Sequence, residues 1–218
     1  MRIGGLEAGG TKMVCAVGNE KGEVLERISI PTLTPDETFP EMISYYKEKK
    51  IDALGIGSFG PVDLDKKSLT YGSITKTPKP GWSGINFVKR MQDALEVPGG
   101  FDTDVNAAVL GEVTYGAAKG CDPAIYITVG TGVGVGVYAN GALVHGLVHP
   151  EGGHILLQKD RKDPYQGCCP FHRNVSRGLP QDRQLQEDMA GKPNYWQTIL
   201  MYGSWKVNIW HRQLSTIS

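Results

Sequence analysis

Two glycine-rich turns, each set between apolar strands, limit the folds that are open to this chain. The first is "EAGGTK", residues 7–12, and the second is "TVGTGVGVG", residues 128–136. Glycine lets backbone N–H groups approach a phosphate closely, and the Thr11 and Thr131 hydroxyls beside the glycines can donate further hydrogen bonds. A tight β-turn without a ligand is the alternative for either turn taken alone. The occurrence of two such turns favours a pair of phosphate-binding hairpins.

Neither turn belongs to the common nucleotide-binding motifs. The chain contains no G-x-x-x-x-G-K-[ST] sequence, and the dinucleotide fingerprint requires a helix after its glycines. Here each turn returns directly to a strand. The sequence therefore predicts hairpins that bind phosphate between two strands.

The order of the remaining segments predicts an α/β chain with an internal duplication. A strand meander opens the chain, residues 35–50 have helical periodicity, and residues 51–63 read as a buried strand that runs into a loop. A second helix is predicted over residues 104–120, and the second glycine hairpin over residues 124–146. A meander, a helix, a strand, a helix and another glycine hairpin are typical of a duplicated α/β fold.

Composition narrows the choice of partners and location. The chain has 218 residues, with 23 Lys plus Arg and 23 Asp plus Glu, so its charge suggests neither nucleic acid nor an anionic membrane as a partner. No apolar run reaches the roughly 18 residues of a membrane helix, and Met1 is followed directly by a strand-like segment, which leaves no room for a signal peptide. Four cysteines are too few for a disulfide framework. We expect a cytoplasmic protein without nucleic-acid or membrane partners.

The segment "FDTDVNAAVLGE", residues 101–112, is the candidate reaction centre. Asp104 and Asn106 are predicted where a strand ends and a helix begins, a position that exposes side chains to a cleft. A structural alternative is that Asp102 or Asp104 only caps the helix. A cap explains one carboxylate but not Asp-x-Asn beside two phosphate loops. A kinase that acts on an alcohol needs a carboxylate base at the attacking hydroxyl, and the rest of its catalysis is positioning and Mg²⁺ electrostatics.

Five ordered motifs together resemble one family. They are "EAGGTKMVCAV", "GIGSFGPVD", "TDVNAAVLGE", "ITVGTGVGVGV" and "HPEGGHI". In this order they resemble the ROK sugar kinases of the actin/hexokinase-like (ribonuclease H-like) superfamily, most closely the bacterial fructokinase branch. The resemblance covers residues 1 to about 174. It implies a duplicated α/β fold whose second domain is incomplete here, with a first domain over residues 1–118 and the start of a second over residues 119–174.

The resemblance implies ATP-dependent phosphorylation of a hexose with Mg²⁺. Fructose is the favoured acceptor, with mannose or glucose as alternatives, and family members are often homodimers. Asp104 is then the base that takes the sugar hydroxyl proton. The implied sugar-side residues are Gly60, Pro61, Asn106 and Glu151, and the implied ATP phosphate-binding residues are Gly9, Gly10, Thr11, Lys12, Gly130, Thr131 and Gly132. Glu7 departs slightly from the pattern, because most of the superfamily has Asp there.

The family resemblance also implies a structural Zn²⁺ site, which this chain completes only in part. His154, Cys169 and His172 match three ligands, but the cysteine expected at position 175 is Val175. A closed structural zinc site takes four ligands. We therefore expect any zinc to bind weakly and to exchange.

The tail, residues 175–218, does not resemble the family. Three of the four tryptophans occur there, and the strand–loop–helix rhythm stops. When the codons are shifted by one base, the tail can encode family-like strings that begin with the missing cysteine. We hypothesise that a one-base deletion near codons 174 and 175 put the tail out of frame, and we predict that this tail lacks a well-packed core.

Two alternative interpretations assign the chain to another functional class. A ROK transcriptional repressor would need a winged-helix segment before the first phosphate loop, and only a few residues precede that loop here. A catalytically dead ROK fragment would keep the fold without activity, because the later adenosine-binding segment of the family is absent.

Overall fold

The computed structural model describes residues 1–129, 133–146, 149–156, 195–202 and 206–213. The chain divides into two compact units, one formed by Met1–Ala107 with Leu147–His149 and the other by Ala108–Gly146 with Pro150–Ser218. This division falls inside a helix, eleven residues before the boundary that the sequence suggests at residues 118 and 119. The domain boundary inferred from the family resemblance stays a prediction.

The first unit is built on a five-stranded sheet in the order β3-β2-β1-β4-β5. Its strands are β1 (Ile3–Ala8), β2 (Lys12–Gly18), β3 (Val24–Pro31), β4 (Ala53–Ser58) and β5 (Gly99–Thr103). The first three strands pair antiparallel as the predicted meander, and β4 and β5 continue the sheet parallel to β1. The carboxyl ends of β1, β4 and β5 therefore meet at one edge of the sheet.

Two helices of the first unit cover one face of this sheet. They are α1 (Pro35–Lys49) and α2 (Phe87–Leu95). The predicted α1 is confirmed, and it opens on a capping box in which the Glu37 carboxylate accepts from the Thr34 backbone N–H at 3.1 Å. Helix α2, which is only nine residues long and is capped by Asn86, was not predicted. None of the helices in the described part of the chain has the length and apolar character that a membrane span requires.

Alternation along the strands produces the core of the first unit. Leu6 and Ala8 on β1, and Met13 and Cys15 on β2, point to the covered face and are buried. They pack in one cluster with the inner side chains of the two helices, which include Phe39, Met42, Tyr46, Phe87 and Met91. Trp82, which is fully buried, stacks on Phe39 and donates its indole N–H to the Leu33 carbonyl at 2.8 Å.

The second unit carries a separate sheet in the order β10-β9-β6-β7-β8, and all of its pairings are antiparallel. Its strands are β6 (Ala124–Val129), β7 (Val133–Ala139), β8 (Ala142–Leu143), β9 (Tyr195–Tyr202) and β10 (Lys206–Gln213). The helix α3 (Asp104–Thr114) runs from the first unit into the second. The second glycine hairpin is confirmed as the β6–β7 pair. The two tail strands, β9 and β10, were not predicted.

Candidate active site

The first glycine turn joins β1 to β2 and contains one glycine that the turn itself requires. The Gly9 N–H donates to the Lys12 carbonyl at 3.0 Å, and a Cβ atom at Gly9 would lie only 2.7 Å from that carbonyl oxygen. Thr32 fixes the turn from the end of β3, with its hydroxyl donating to the Gly9 carbonyl at 2.7 Å and its N–H to the Thr11 carbonyl at 2.9 Å. The ligand-free alternative therefore accounts for Gly9.

The same alternative does not account for Gly10. This residue is exposed, and a Cβ atom built there meets no atom of the described residues within 4 Å. Thr11 beside it is exposed as well, and Lys12 is half-buried. Protein packing therefore does not explain why residue 10 is a glycine. A phosphate that approaches the backbone closely would explain it.

The second phosphate loop falls at a gap in the described residues. Gly130, Thr131 and Gly132 lie outside them, as do the implied zinc ligands Cys169 and His172. The flanking strands are described, and their register pairs Val129 with Val133. The roles of these loop residues stay predictions.

The candidate base, Asp104, lies in the first turn of α3. This turn packs directly on the sheet because the residue that faces it has no side chain. The strand β5 ends at Thr103 and α3 begins at Asp104, as predicted. Gly57 on β4 faces this turn: a Cβ atom there would lie 2.6 Å from the Ala107 Cβ and 3.3 Å from the Asp104 Cα. Glycine at this position therefore lets the start of α3 rest directly on the sheet. Gly57 was not predicted as a site residue.

The cap of α3 is Thr103, which was not predicted as a site residue. The Thr103 hydroxyl accepts from the Asn106 N–H at 3.2 Å, which is the hydrogen bond of an N-cap. The cap alternative named Asp102 or Asp104, and that assignment is wrong for this bond. Asp104 instead accepts from the neighbouring Val105 N–H at 2.9 Å with one carboxylate oxygen. Because Thr103 serves as the cap, helix capping does not explain the two carboxylates that flank it.

Asn106 is fully buried and its amide is held on one side only. Its Nδ2 donates to the Asp102 carboxylate at 2.8 Å, and the same carboxylate oxygen accepts from the Thr103 N–H at 2.8 Å. Within the described residues, no group hydrogen-bonds the Asn106 Oδ1, although this atom is buried. A buried acceptor without a protein donor costs about 1–3 kcal/mol, which favours a ligand hydroxyl as its partner.

Asp102 lies in a cross-strand row with the glycine that supports α3. The register pairs Glu7 with Gly57 and Gly57 with Asp102, so these three residues share the face of the sheet on which α3 begins. Burial raises the pKa of the nearby Tyr71, and the negative charge of Asp102 raises that pKa further.

The predicted sugar-side loop follows β4 directly. Its backbone is fixed at both ends, because the Phe59 N–H donates to the Ala8 carbonyl at 2.8 Å and the Pro61 carbonyl accepts from the Thr75 N–H at 2.8 Å. At Gly60 a Cβ atom would come within 3.7 Å of the His149 ring, so this histidine packs beside the loop in the first unit. His149 was not predicted as a site residue, although it opens the motif "HPEGGHI".

Glu151 and His154 form a local pair in the second unit. Glu151 has the left-handed backbone angle φ 45° and precedes a short 3₁₀ helix, Gly152–His154. The His154 Nδ1 lies 3.1 Å from the Glu151 Oε2. The two glycines of the motif pack on β7, since a Cβ at Gly152 would lie 2.7 Å from the Val135 side chain. No group of three or more potential metal ligands occurs among the described residues.

Comparison with known proteins establishes the family. The model of the ROK family matches residues 3–177. This chain belongs to the ROK family. The recognised family and its extent are thereby confirmed, and the structural neighbours of this ROK chain confirm the α/β fold class of the actin/hexokinase-like sugar kinases.

The relatives are named as sugar kinases. A Bacillus subtilis (strain 168) protein, provisionally named a fructokinase, is 52% identical over 177 residues, which cover 81% of this chain and 59% of that protein. A fructokinase from Pediococcus pentosaceus is 44% identical over 82% of this chain and 62% of its own length. The crystal structure of a ROK family glucokinase from Streptomyces griseus with glucose and AMPPNP superposes with a TM-score of 0.67 at 25% identity, covering 88% of this chain and 62% of that one. This ROK chain thus spans about three fifths of the length of the curated relatives it matches.

Proposed function

We propose that this chain carries the sugar-side and first phosphate-binding elements of an ATP-dependent hexose kinase, with fructose as the acceptor. The observation that carries the proposal is the start of α3. There Thr103 serves as the cap, Asp104 is held against Gly57, and the buried Asn106 keeps an acceptor that no donor among the described residues reaches. The names of the relatives support fructose as the acceptor among the hexoses.

In the proposed reaction, a hydroxyl oxygen of the hexose attacks the γ-phosphorus of ATP while the Asp104 carboxylate takes the hydroxyl proton. The bond between the γ-phosphorus and the bridging oxygen breaks, which gives the hexose phosphate and ADP. General-base help of this kind contributes about 10²–10⁴-fold. The space beside Gly10 on the first turn leaves room for phosphate oxygens near backbone N–H groups. Mg²⁺ bound with ATP would supply neutralisation of the charge on the phosphates.

An ADP-release assay on the 218-residue chain tests this proposal. We expect ADP release that depends on a hexose, with fructose giving a higher kcat/KM than mannose or glucose, and loss of that release in Asp104→Asn. Equal ADP release with and without sugar, or undiminished release in Asp104→Asn, would reject the assignment. ADP formation can be followed continuously by coupling to NADH oxidation.

A folded fragment that binds sugar without catalysis is the second candidate. It is favoured by one observation, the share of 59–62% of the relatives that this chain spans. Fructose would then protect the chain against thermal unfolding while no ADP appears. The ADP-release and thermal-unfolding measurements separate the two candidates.

The zinc site is proposed as weak. The pairing of the His154 Nδ1 with the Glu151 carboxylate resembles the carboxylate–histidine arrangement that orients a metal-binding imidazole. Zn²⁺ would then be held by three protein ligands, His154, Cys169 and His172. The role of the ion would be to stabilise the segment that contains them. A homodimer and a cytoplasmic location also stay predictions.

The frame hypothesis for residues 175–218 also stays a proposal. It is supported by the family match, which ends at residue 177. Sequencing the locus decides it, because an uninterrupted gene that encodes this same tail would rule out a deletion in the gene. Adding one base near codons 174 and 175 should restore a family-like tail with cysteine at position 175.

A further inference from the structure

Asn106 makes one polar contact on its donor side, and among the described residues no donor reaches its acceptor oxygen. The Nδ2 donates to the Asp102 Oδ1 at 2.8 Å, and the Asn106 side chain is fully buried. An amide held in this way cannot rotate its two ends without placing Oδ1 against a carboxylate. Asp102 therefore decides which end of the Asn106 amide is available.

We propose that Asp102 is a positioning residue, which fixes the Asn106 amide so that its Oδ1 accepts a hydrogen bond from a hydroxyl of the hexose. The inference rests on the proposed function for its ligand, and on the Asp102–Asn106 hydrogen bond for its mechanism. Asp102 itself lies one residue before the cap, Thr103, and is not needed for capping.

A purely structural role does not explain this pair. A structural amide in a buried site normally has both ends satisfied, because each unmet polar atom costs about 1–3 kcal/mol. Here only the donor end is satisfied by the described residues. The satisfied end is bound to a charged partner, which gives one of the stronger kinds of protein hydrogen bond. This arrangement keeps the acceptor oriented before a ligand arrives.

The proposal has a chemical consequence for the ligand. An amide oxygen accepts and does not donate, so the group it binds must be a donor, as a sugar hydroxyl is. Fluorine in place of that hydroxyl cannot donate. A deoxyfluoro sugar should therefore lose as much affinity as the corresponding deoxy sugar, about tenfold for one good hydrogen bond.

The first experiment observes the Asn106 side-chain amide by ¹⁵N NMR in the full 218-residue chain, without sugar. We expect one Nδ2 proton to be protected from solvent exchange in the unmodified chain and in Asp102→Asn, which keeps an acceptor oxygen. In Asp102→Ala the protection should be lost. The amide of Asn86, whose Nδ2 donates to the Tyr71 carbonyl at 3.0 Å, is the internal control and should stay protected in all three proteins.

The second experiment adds fructose and then its deoxy and deoxyfluoro analogues. Bound fructose should shift the Asn106 amide signals, and at one hydroxyl position the two analogues should bind about tenfold more weakly than fructose. In Asp102→Ala that penalty should shrink to about threefold or less, because the amide is no longer oriented.

The outcomes separate this inference from the proposed function. If the chain does not bind fructose, the proposed function fails for this polypeptide, and the exchange measurement alone judges whether Asp102 orients the amide. Unchanged protection of Asn106 in Asp102→Ala would overturn the inference. Bound fructose that leaves the Asn106 amide unmoved would overturn it as well.

Discussion

Adding one methyl group at Gly57 should push helix α3, which carries the candidate base, away from the sheet. In Gly57→Ala the new Cβ would lie 2.6 Å from the Ala107 Cβ and 3.3 Å from the Asp104 Cα. Carbon atoms in ordinary contact stand about 3.5–4.0 Å apart, so the first turn of α3 would have to move outward by about 1 Å. Neither contact is the far end of a flexible side chain, so the helix backbone has to shift.

Gly55 provides a matched control on the same strand and the same face. Within the described part of the chain, a Cβ atom at Gly55 would meet only the Gly4 carbonyl oxygen, at 3.9 Å, which is an ordinary contact. Gly55→Ala should therefore be neutral or stabilise by up to about 1 kcal/mol, through the lower entropy of the unfolded chain. Gly57→Ala gains the same entropic term but loses about 1–3 kcal/mol to overpacking. We expect the two variants to differ by about 2 kcal/mol.

Urea unfolding followed by far-UV circular dichroism measures that difference. With a slope of about 2 kcal/mol per molar urea, the midpoint of Gly57→Ala should fall about 1 M below that of Gly55→Ala. Displacement of the base by about 1 Å should also lower kcat about 10²-fold, while Gly55→Ala keeps the activity of the parent. Equal midpoints and equal kcat for the two variants would refute the close packing of α3 on Gly57.

Further predictions concern the turn, the base, a buried thiol and the metal. Gly10→Val should raise KM for ATP at least about tenfold with little change in KM for fructose, whereas Gly9→Ala should lower stability by about 1–3 kcal/mol in urea; a selective rise in KM for fructose would contradict the phosphate assignment. Asp104→Asn should lower kcat at least about 10²-fold and leave fructose affinity within a few-fold, as single-turnover and binding measurements can show. Burial raises the pKa of the fully buried Cys15 thiol to about 11, so iodoacetamide at pH 8 should modify Cys15 only after unfolding, as peptide mass spectrometry would report. Zinc should be lost on dialysis against a chelator from this chain but retained stoichiometrically once cysteine stands at position 175.

Local chemistry was enough to predict the elements of the first unit that have strong signals. Thr34 and Glu37 form a capping box at the start of helix α1, and Pro35 is its first residue; both features indicate a helix start. Helix α2 has a weaker signal, because it spans nine residues, and only Asn86 followed by apolar residues at Phe87, Val88 and Met91 marks it. A short helix of this kind is stabilised mainly by its packing on the sheet.

The identity of the α3 cap could not be read from the sequence. Asp102, Thr103 and Asp104 are consecutive, and each has a side chain that can cap a helix. The choice depends on which residue has its hydroxyl or carboxylate beside the N–H of Asn106, and that is set by where β5 leaves the sheet. The orientation of the buried Asn106 amide is likewise a property of three-dimensional packing, and no spacing rule predicts it.

The second sheet shows how far a duplicated pattern determines strand pairing. In the first unit β1 pairs with β2 on one side and with the parallel β4 on the other. In the second unit β6 pairs with β7 in the same way, but its other neighbour is β9, which is antiparallel and lies beyond the family match at residue 177. An open strand edge offers backbone N–H and C=O groups that any extended segment can satisfy, and "YWQTILMY" of β9 is rich in residues that favour strands. Because this pairing depends on the backbone, it would form with an out-of-frame tail as readily as with a family segment.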